Sequence, residues 1–402
     1  MSYRAVLRTP HALRTFSAAL VGRLSYGIVF VSLTVAITAA TGSYSLAGGG
    51  IALFGLGVVL LSPLRAGLID RHGPRRVLPP LAGAYAVLLA ALAAATWRPG
   101  APGWLLLALT ATAGACSPPL GPTMRAMWSH LLPDPAGRQR AFALDTVAEE
   151  LLFVTGPLLA GVFIAAGNPA LGVAASAVLV LVGTLAMVSS PAAAAWPRPE
   201  AGGAVTALRG CAVFEPVVVV CGIGLGLGVL NLLVVAFAMG QGQIAAVAWV
   251  EAALAAGSAV GGIAYGARNW TVPQRTQISL LTLGLATVLA AAGLAPGIAA
   301  LTAAAALAGL FVAPALTTAY LLADRAAPAA ARTRAGTWVN TAFNAGSSGG
   351  TAAVGLLIGR MPLALCFAVA AVPMLLSATA TLTPRSPRRQ AVAIPAQEQG
   401  SL

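Results

Sequence analysis

The sequence predicts an all-α membrane protein of twelve transmembrane helices in two six-helix bundles. Three observations carry that expectation. Apolar residues make up 58% of the 402 residues and charged residues only 8%, whereas a soluble domain needs about a quarter charged residues to stay dispersed. The apolar residues fall into runs of about 20, the length that crosses a hydrocarbon core. The 23 basic residues, every one an arginine, gather on alternate connections between those runs.

In order, the runs are placed at 15–40, 45–65, 77–97, 103–124, 141–166 and 169–189, then at 213–239, 243–267, 276–295, 297–322, 335–358 and 361–382. No basic start, short apolar core and small-residue cleavage site opens the chain, so the first run is read as a retained span. Ser190 to Gly203 carries Pro191, Pro197 and Pro199 and cannot continue a helix. It divides the chain into a bundle at 1–190, a linker at 191–212, a second bundle at 213–384 and a polar tail at 385–402 expected to be disordered. Two such bundles rocking about a central site are the architecture of a transporter.

Only Arg98 and Arg360 fall in connections on one side; the other connections, with Arg65 and Arg125 counted among them, lie on the opposite side. Arginine-rich loops stay cytoplasmic, so both termini are expected inside, in the inner (plasma) membrane. The net charge of +13 then means contact with anionic lipid. It does not mean nucleic acid, because no basic run is interleaved with aromatics. Cys116, Cys211, Cys221 and Cys366 have no metal-ligand spacing and are expected to pack as small apolar residues without a disulfide.

Between the second and third runs stands Gly67-Leu68-Ile69-Asp70-Arg71-His72-Gly73-Pro74-Arg75-Arg76. Gly67 and Gly73 permit tight turns, and Pro74 starts a helical turn with φ already set. Asp70 is suited to the positive N-terminal end of a neighbouring helix, and Arg71, Arg75 and Arg76 to carboxylates or lipid phosphate. This stretch resembles the loop between helices 2 and 3 of the major facilitator superfamily: a glycine, an Asp-Arg pair, a second glycine, then basic residues. The resemblance covers nearly the whole chain by topology, though its strong motif is about ten residues long. It implies that Gly67, Asp70, Arg71, Gly73, Arg75 and Arg76 clamp the bundles together on the cytoplasmic side when the protein opens outward. A weaker echo, Gly261-Gly262-Ile263-Ala264-Tyr265-Gly266-Ala267-Arg268, puts Tyr265 where the acid would stand.

Ionisable residues inside a span cost roughly 2.5–3.5 kcal/mol each on insertion, so each asks for a reason. In the fifth run Asp145 and Glu149 are four apart and share a helix face, while Glu150 points about 100° away. In one reading a glutamate carries a proton across, since a carboxyl in apolar surroundings holds its proton near neutral pH. In the other it is a structural ion pair with Arg23 of the first run or Arg125 below the fourth. Asp145 is expected to pair with Arg138 or Arg140. Glu251, alone in the eighth run, is a second candidate cation or proton site; Glu215 and Asp324 sit at span ends and are read as interfacial. Many proton antiporters of the superfamily bury an arginine in span 4. The run at 103–124 has none, and Arg23 is expected to substitute.

Gly156-Pro157 with Ala160-Gly161 resembles the superfamily's antiporter motif in span 5, which goes with export; Pro157 removes a backbone donor and the small residues let a neighbour approach. Cys221 to Gly228, rich in glycine, follows no strand and is read as close helix packing rather than a nucleotide loop. Asn340, Asn344 and Asn231, with Ser32 and Thr34, offer polar groups within the spans. Trp249, Phe30, Trp338 and Phe343 would line an apolar cavity. No metal, triad or phosphate-binding constellation stands out, so no cofactor and no enzyme is expected. The wording around Ser117 to Pro122, Ala141 to Gly161 and Trp338 to Asn344 resembles actinobacterial drug and metabolite efflux members. The expected function is therefore proton-coupled antiport exporting small amphipathic molecules, by a monomer. The alternatives are a proton symporter importing a sugar or other polar nutrient, and a transporter-like sensor that moves nothing.

Overall fold

The computed structural model of the chain describes residues 2–196 and 213–382. The first bundle is α1 (Ala12–Thr41), α2 (Tyr44–His72), α3 (Pro74–Thr96), α4 (Gly103–Leu131), α5 (Pro135–Ala165) and α6 (Ala170–Val188). The second is α7 (Phe214–Gly240), α8 (Val247–Ala267), α9 (Gln274–Ala292), α10 (Ile298–Ala326), α11 (Arg332–Leu357) and α12 (Leu363–Leu382). Short helices Tyr3–Leu7 and Pro191–Ala194 flank the first bundle. Among the described residues, eleven of the twelve long helices are apolar enough to cross a membrane. The twelfth, α11, is 26 residues long and lowers its apolarity with arginines, asparagines and a Gly-Ser run.

Each bundle has its own core. Leu33, Tyr85, Leu89 and Trp128 close the first; Ile223, Leu285 and Phe367 close the second, which Phe142 of α5 joins from across the seam. The bundles meet where α5 lies against α8 and where α2 lies against α11. The glycine run read as packing does pack: added Cβ atoms at Gly224 and Gly228 of α7 would run into the α11 backbone at Phe343 and Ser347, and Gly346 and Gly350 meet Cys221 and Leu225 in return.

Several helices outrun the apolar segments that announced them. The expected loop after α2 is helical through His72; Gly73, at φ 82°, breaks the chain and caps both α2 and α3. Hydropathy locates the hydrocarbon, whereas backbone hydrogen bonding carries a helix past it into the headgroup region. α4 departs furthest. Ser117-Pro118-Pro119 splits it into Gly103–Cys116 and Leu120–Leu131, so Arg125 lies inside the helix and not below it. The prolines cannot donate, and the carbonyls freed at the break are met by side chains: Arg65 Nη1 donates to Gly114 O (2.9 Å) and Ala115 O (2.8 Å), and Tyr26 Oη to Pro118 O. Arg65 is therefore a buried part of α2, not a loop cation. Of the expected linker and tail, 197–212 and 383–402 lie outside the described residues, and Cys211 with them.

Candidate functional site

At the heart of the first bundle α1, α4 and α5 bring four charges together. Arg23 of α1 reaches Asp145 Oδ1 through Nη1 (2.8 Å) and Glu149 Oε1 through Nη2 (2.9 Å). Arg125 of α4 reaches Asp145 Oδ2 through Nε (2.9 Å) and Glu149 Oε2 through Nη2. The four-residue spacing on α5 is what lets one helix face present both carboxylates. Arg23, Arg125 and Asp145 are all but fully buried, while Glu149 is partly exposed. Two cations and two anions cancel, so the ring survives in a low-dielectric interior where a lone charge would not. Gly121 and the Gly27–Gly156 crossing let α4, α1 and α5 approach: a Cβ at Gly121 would sit 3.3 Å from Glu149 Oε1, and one at Gly27 would meet Gly156 Cα at 3.0 Å.

Two expectations are corrected here. Asp145 does not pair with Arg138 or Arg140; those donate instead to Asp324 and to the α8 terminus. The buried arginine thought missing from span 4 is Arg125, concealed because the proline break ends the apolar run while the helix resumes. Glu149 takes both of its alternative cations, Arg23 and Arg125, at once.

Glu150 and Glu251 stand apart from the ring. Neither carboxylate has a hydrogen bond or ion pair among the described residues. Glu150 continues the α5 stripe Ala143, Val147 that meets α8 at Gly266 and Gly262, and Glu251 lies on the same stripe of α8, eleven residues from Gly262.

The arginine-rich end is shut, and each described hydrogen bond between the bundles lies there. Asp70, at the last turn of α2, accepts from the backbone N–H of Thr333 (3.1 Å) and Arg334 (2.9 Å), the free donors of the first turn of α11. Gln139 donates to Tyr265 O and Arg268 O, both at 3.0 Å, and Arg140 to Ala267 O (3.4 Å) and Asn269 Oδ1 (3.0 Å). Ser129 Oγ donates to Asp324 Oδ1 (2.7 Å), and Arg138 and Arg332 flank the same carboxylate. Asp324, read as interfacial, is thus a bridge between bundles. Among the other motif residues, Arg75 Nε holds Val188 O of α6 (3.0 Å), while Arg71 and Arg76 are exposed and have no ion pair among the described residues. A Cβ at Gly67 would sit 3.9 Å from the Arg334 side chain.

The model of the major facilitator superfamily matches residues 15–267. The chain belongs to the major facilitator superfamily. It is a multi-pass membrane protein with a transporter fold. No curated protein matches it in sequence. Among solved structures it is similar to a bacterial homologue of the iron transporter ferroportin in an outward-facing state, at 15% identity, TM-score 0.75, covering 92% of this chain and 98% of that one. It is also similar to the human organic anion transporter MFSD10 (TETRAN), at 15% identity and TM-score 0.69 over the same shares. These likenesses concern the fold.

Within this superfamily fold, the remaining candidates divide. Asn340 of α11 accepts from Tyr320 Oη (3.4 Å), and the Tyr320 ring lies under the Arg125 guanidinium, 3.7 Å from Cζ to centroid, so Asn340 is tied to the charge ring. Phe30 packs edge-on against Phe54, 5.2 Å between centroids. Asn344 is half-buried, and Asn231 and Trp249 are exposed. Gly156 and Pro157 lie inside an unbroken α5, with Gly156 against Gly27; a Cβ at Gly161 would meet nothing within 4 Å. Sequence reasoning missed Tyr320, Ser129, Gln139 and the central place of Arg125. Only Arg125 had a usable signal, an arginine one and a half turns past Pro118-Pro119.

Proposed function

We propose that this transporter is a proton-coupled antiporter exporting small amphipathic molecules by alternating access. The observation that carries the reading is the neutral ring of Arg23, Arg125, Asp145 and Glu149 followed directly along α5 by Glu150, a carboxylate with no ion pair among the described residues. A ring that satisfies itself leaves Glu150 as the group free to exchange a proton, and Glu251 on the facing stripe of α8 as the second. Arg23 and Glu149 set the field in which that exchange occurs.

The arginine-rich end is assigned to the cytoplasm, in the plasma membrane, with both termini inside and anionic lipid against Arg71 and Arg76. In this reading Asp70 is the gate residue proper, because it bonds the opposite bundle. Gly67 gives α11 room, Gly73 makes the turn, and Arg75 steadies α3 on α6. The cargo site is assigned to the level of Asn340, Asn344 and Asn231, with Phe30 and Trp249 as apolar walls and the Gly156-Pro157 turn of α5 flanking it; alanine-rich surroundings suit apolar cargo. The bundles at 1–190 and 213–384 are the two rocking bodies, working as a monomer.

The test is uptake into inverted membrane vesicles under an imposed proton gradient, with a panel of lipophilic cations and antibiotics. Wild type is compared with Glu150→Gln, Glu149→Gln and Glu251→Gln. Gradient-driven accumulation abolished by Glu150→Gln is the expected result. Accumulation that none of the three alters would remove proton coupling through these acids. Movement with the proton gradient rather than against it would put a symporter in place of the antiporter.

A further inference from the structure

Arg125 belongs to two structures at once. Its edge is held by Asp145 and Glu149, and its face lies on Tyr320 of the other bundle. A guanidinium over an aromatic ring in a desolvated site is among the stronger cation–π contacts. One turn further on, the same faces of α4 and α10 meet again: Ser129 is four residues after Arg125, Asp324 four after Tyr320, and Ser129 Oγ bonds Asp324 Oδ1 at 2.7 Å. Arg125 Nη1 is buried with no hydrogen-bond partner among the described residues. Arg125 also lines a cavity of about 10 Å³ together with Tyr320, Asp324, Arg332 and Gly336, which is room for one water between the charge ring and the shut end.

We propose that Tyr320 is a positioning residue through which the second bundle senses the charge of the ring. This inference goes beyond the proton-coupled reading above: there Glu150 exchanges the proton, and here the charge of Glu149 within the ring sets the seam between the bundles. While Asp145 and Glu149 are both ionised they hold the Arg125 plane against Tyr320, and α4 and α10 stay together above the Ser129–Asp324 bond. Neutralising Glu149 releases one arm of Arg125, the plane turns away from the ring, and the shut end loses a rung. The charged and titratable groups around Arg125 are Arg23 on α1, Asp145, Glu149 and Glu150 on α5, Tyr320 and Asp324 on α10, and Arg332 on α11. Of these, Tyr320 alone gives the guanidinium an aromatic face.

The experiment measures opening of the arginine-rich end in the full-length protein in lipid nanodiscs. Spin labels are placed at Arg76→Cys and Thr271→Cys, both exposed, in a background lacking the native cysteines. Glu149→Gln is expected to raise the ratio of open to shut molecules about tenfold, the scale of one buried cation–π contact. Tyr320→Leu is expected to produce the same shift, and Glu149→Gln to add less than about twofold to it, because both remove one coupled contact. Tyr320→Phe, which keeps the ring, should respond to Glu149→Gln as wild type does. Arg125→Lys, which keeps the charge without the plane, should open like Tyr320→Leu and serves if that variant does not fold. Full additivity of Tyr320→Leu with Glu149→Gln, or a Tyr320→Phe variant indistinguishable from Tyr320→Leu, overturns the inference. Vesicle flux is read separately: loss of gradient dependence in wild type would sink proton coupling while leaving the spin-label pattern intact.

Discussion

The two bundles share an architecture and divide the polar work unequally. The first buries Arg23, Arg65, Arg125 and Asp145 among its helices, and breaks α4 to bring Arg125 into place. The second has an apolar core; glycine closes its crossings of α7 on α11 and α8 on α10, as Gly22–Gly183 and Gly27–Gly156 do in the first. Its buried acid, Asp324, points to the seam. Buried charge demands fixed partners, whereas glycine-lined contacts depend on backbone shape and are not tied to a charge. The bundles therefore differ in buried charge and not in glycine packing: the first holds the charge ring, and the second is the electrically quieter body.

Three comparisons test that division, and the largest effect belongs to the charge ring. Asp145→Ala leaves two buried guanidinium groups to share one carboxylate, Glu149, and is expected to cost about 3–5 kcal/mol, seen as early thermal unfolding in detergent. Glu251→Ala in the second bundle, which breaks no pair, should unfold with wild type; equal losses at the two positions would erase the contrast. Next comes packing. Gly261→Leu drives a side chain into the Leu310 backbone across the α8–α10 crossing and is expected to cost about 1–3 kcal/mol. Gly161→Leu, with no neighbour in reach, should stay within about 0.5 kcal/mol of wild type.

The smallest effects concern the shut end, where the bundles use opposite chemistry at their two junctions. At α11 a carboxylate, Asp70, meets helix N–H groups; at α8 the donors Gln139 and Arg140 meet helix carbonyls. Each complements the helix end it faces. Asp70→Ala is expected to weaken the shut state by about 1–2 kcal/mol, as loss of a helix cap does, measured as faster labelling of a cysteine at Thr333. Arg71→Ala, removing an exposed cation, should shift labelling by less than about 0.5 kcal/mol. If Arg71→Ala opened that end as far as Asp70→Ala does, the motif would work through its charge and not through the α11 cap.

Much of the fold was legible because hydropathy is local. Runs of apolar residues reveal how many helices cross a bilayer, and the spacing of Asp145 and Glu149 reveals that they share a face. The motif around Asp70 was legible too, down to its place at a helix N-terminus. Helix ends were not, since α2, α4, α5 and α10 continue past the hydrocarbon on backbone hydrogen bonds that apolarity does not register. Arg125 was misplaced for that reason, and Tyr320 carried no signal at all, being one aromatic among apolar neighbours.

By itself, then, the sequence determined the membrane class, the twelve helices, the two halves and the presence of acids that need an explanation. These follow from composition and short-range periodicity. The tertiary structure alone decided the partners. Arg23 meets Asp145 across 122 residues of chain, and Asp70 meets Arg334 across 264. Which charges cancel and which ring lies under Arg125 depend on how the helices pack. Electrostatic energy in a low-dielectric interior is set by distance in space, and distance along the chain does not report it.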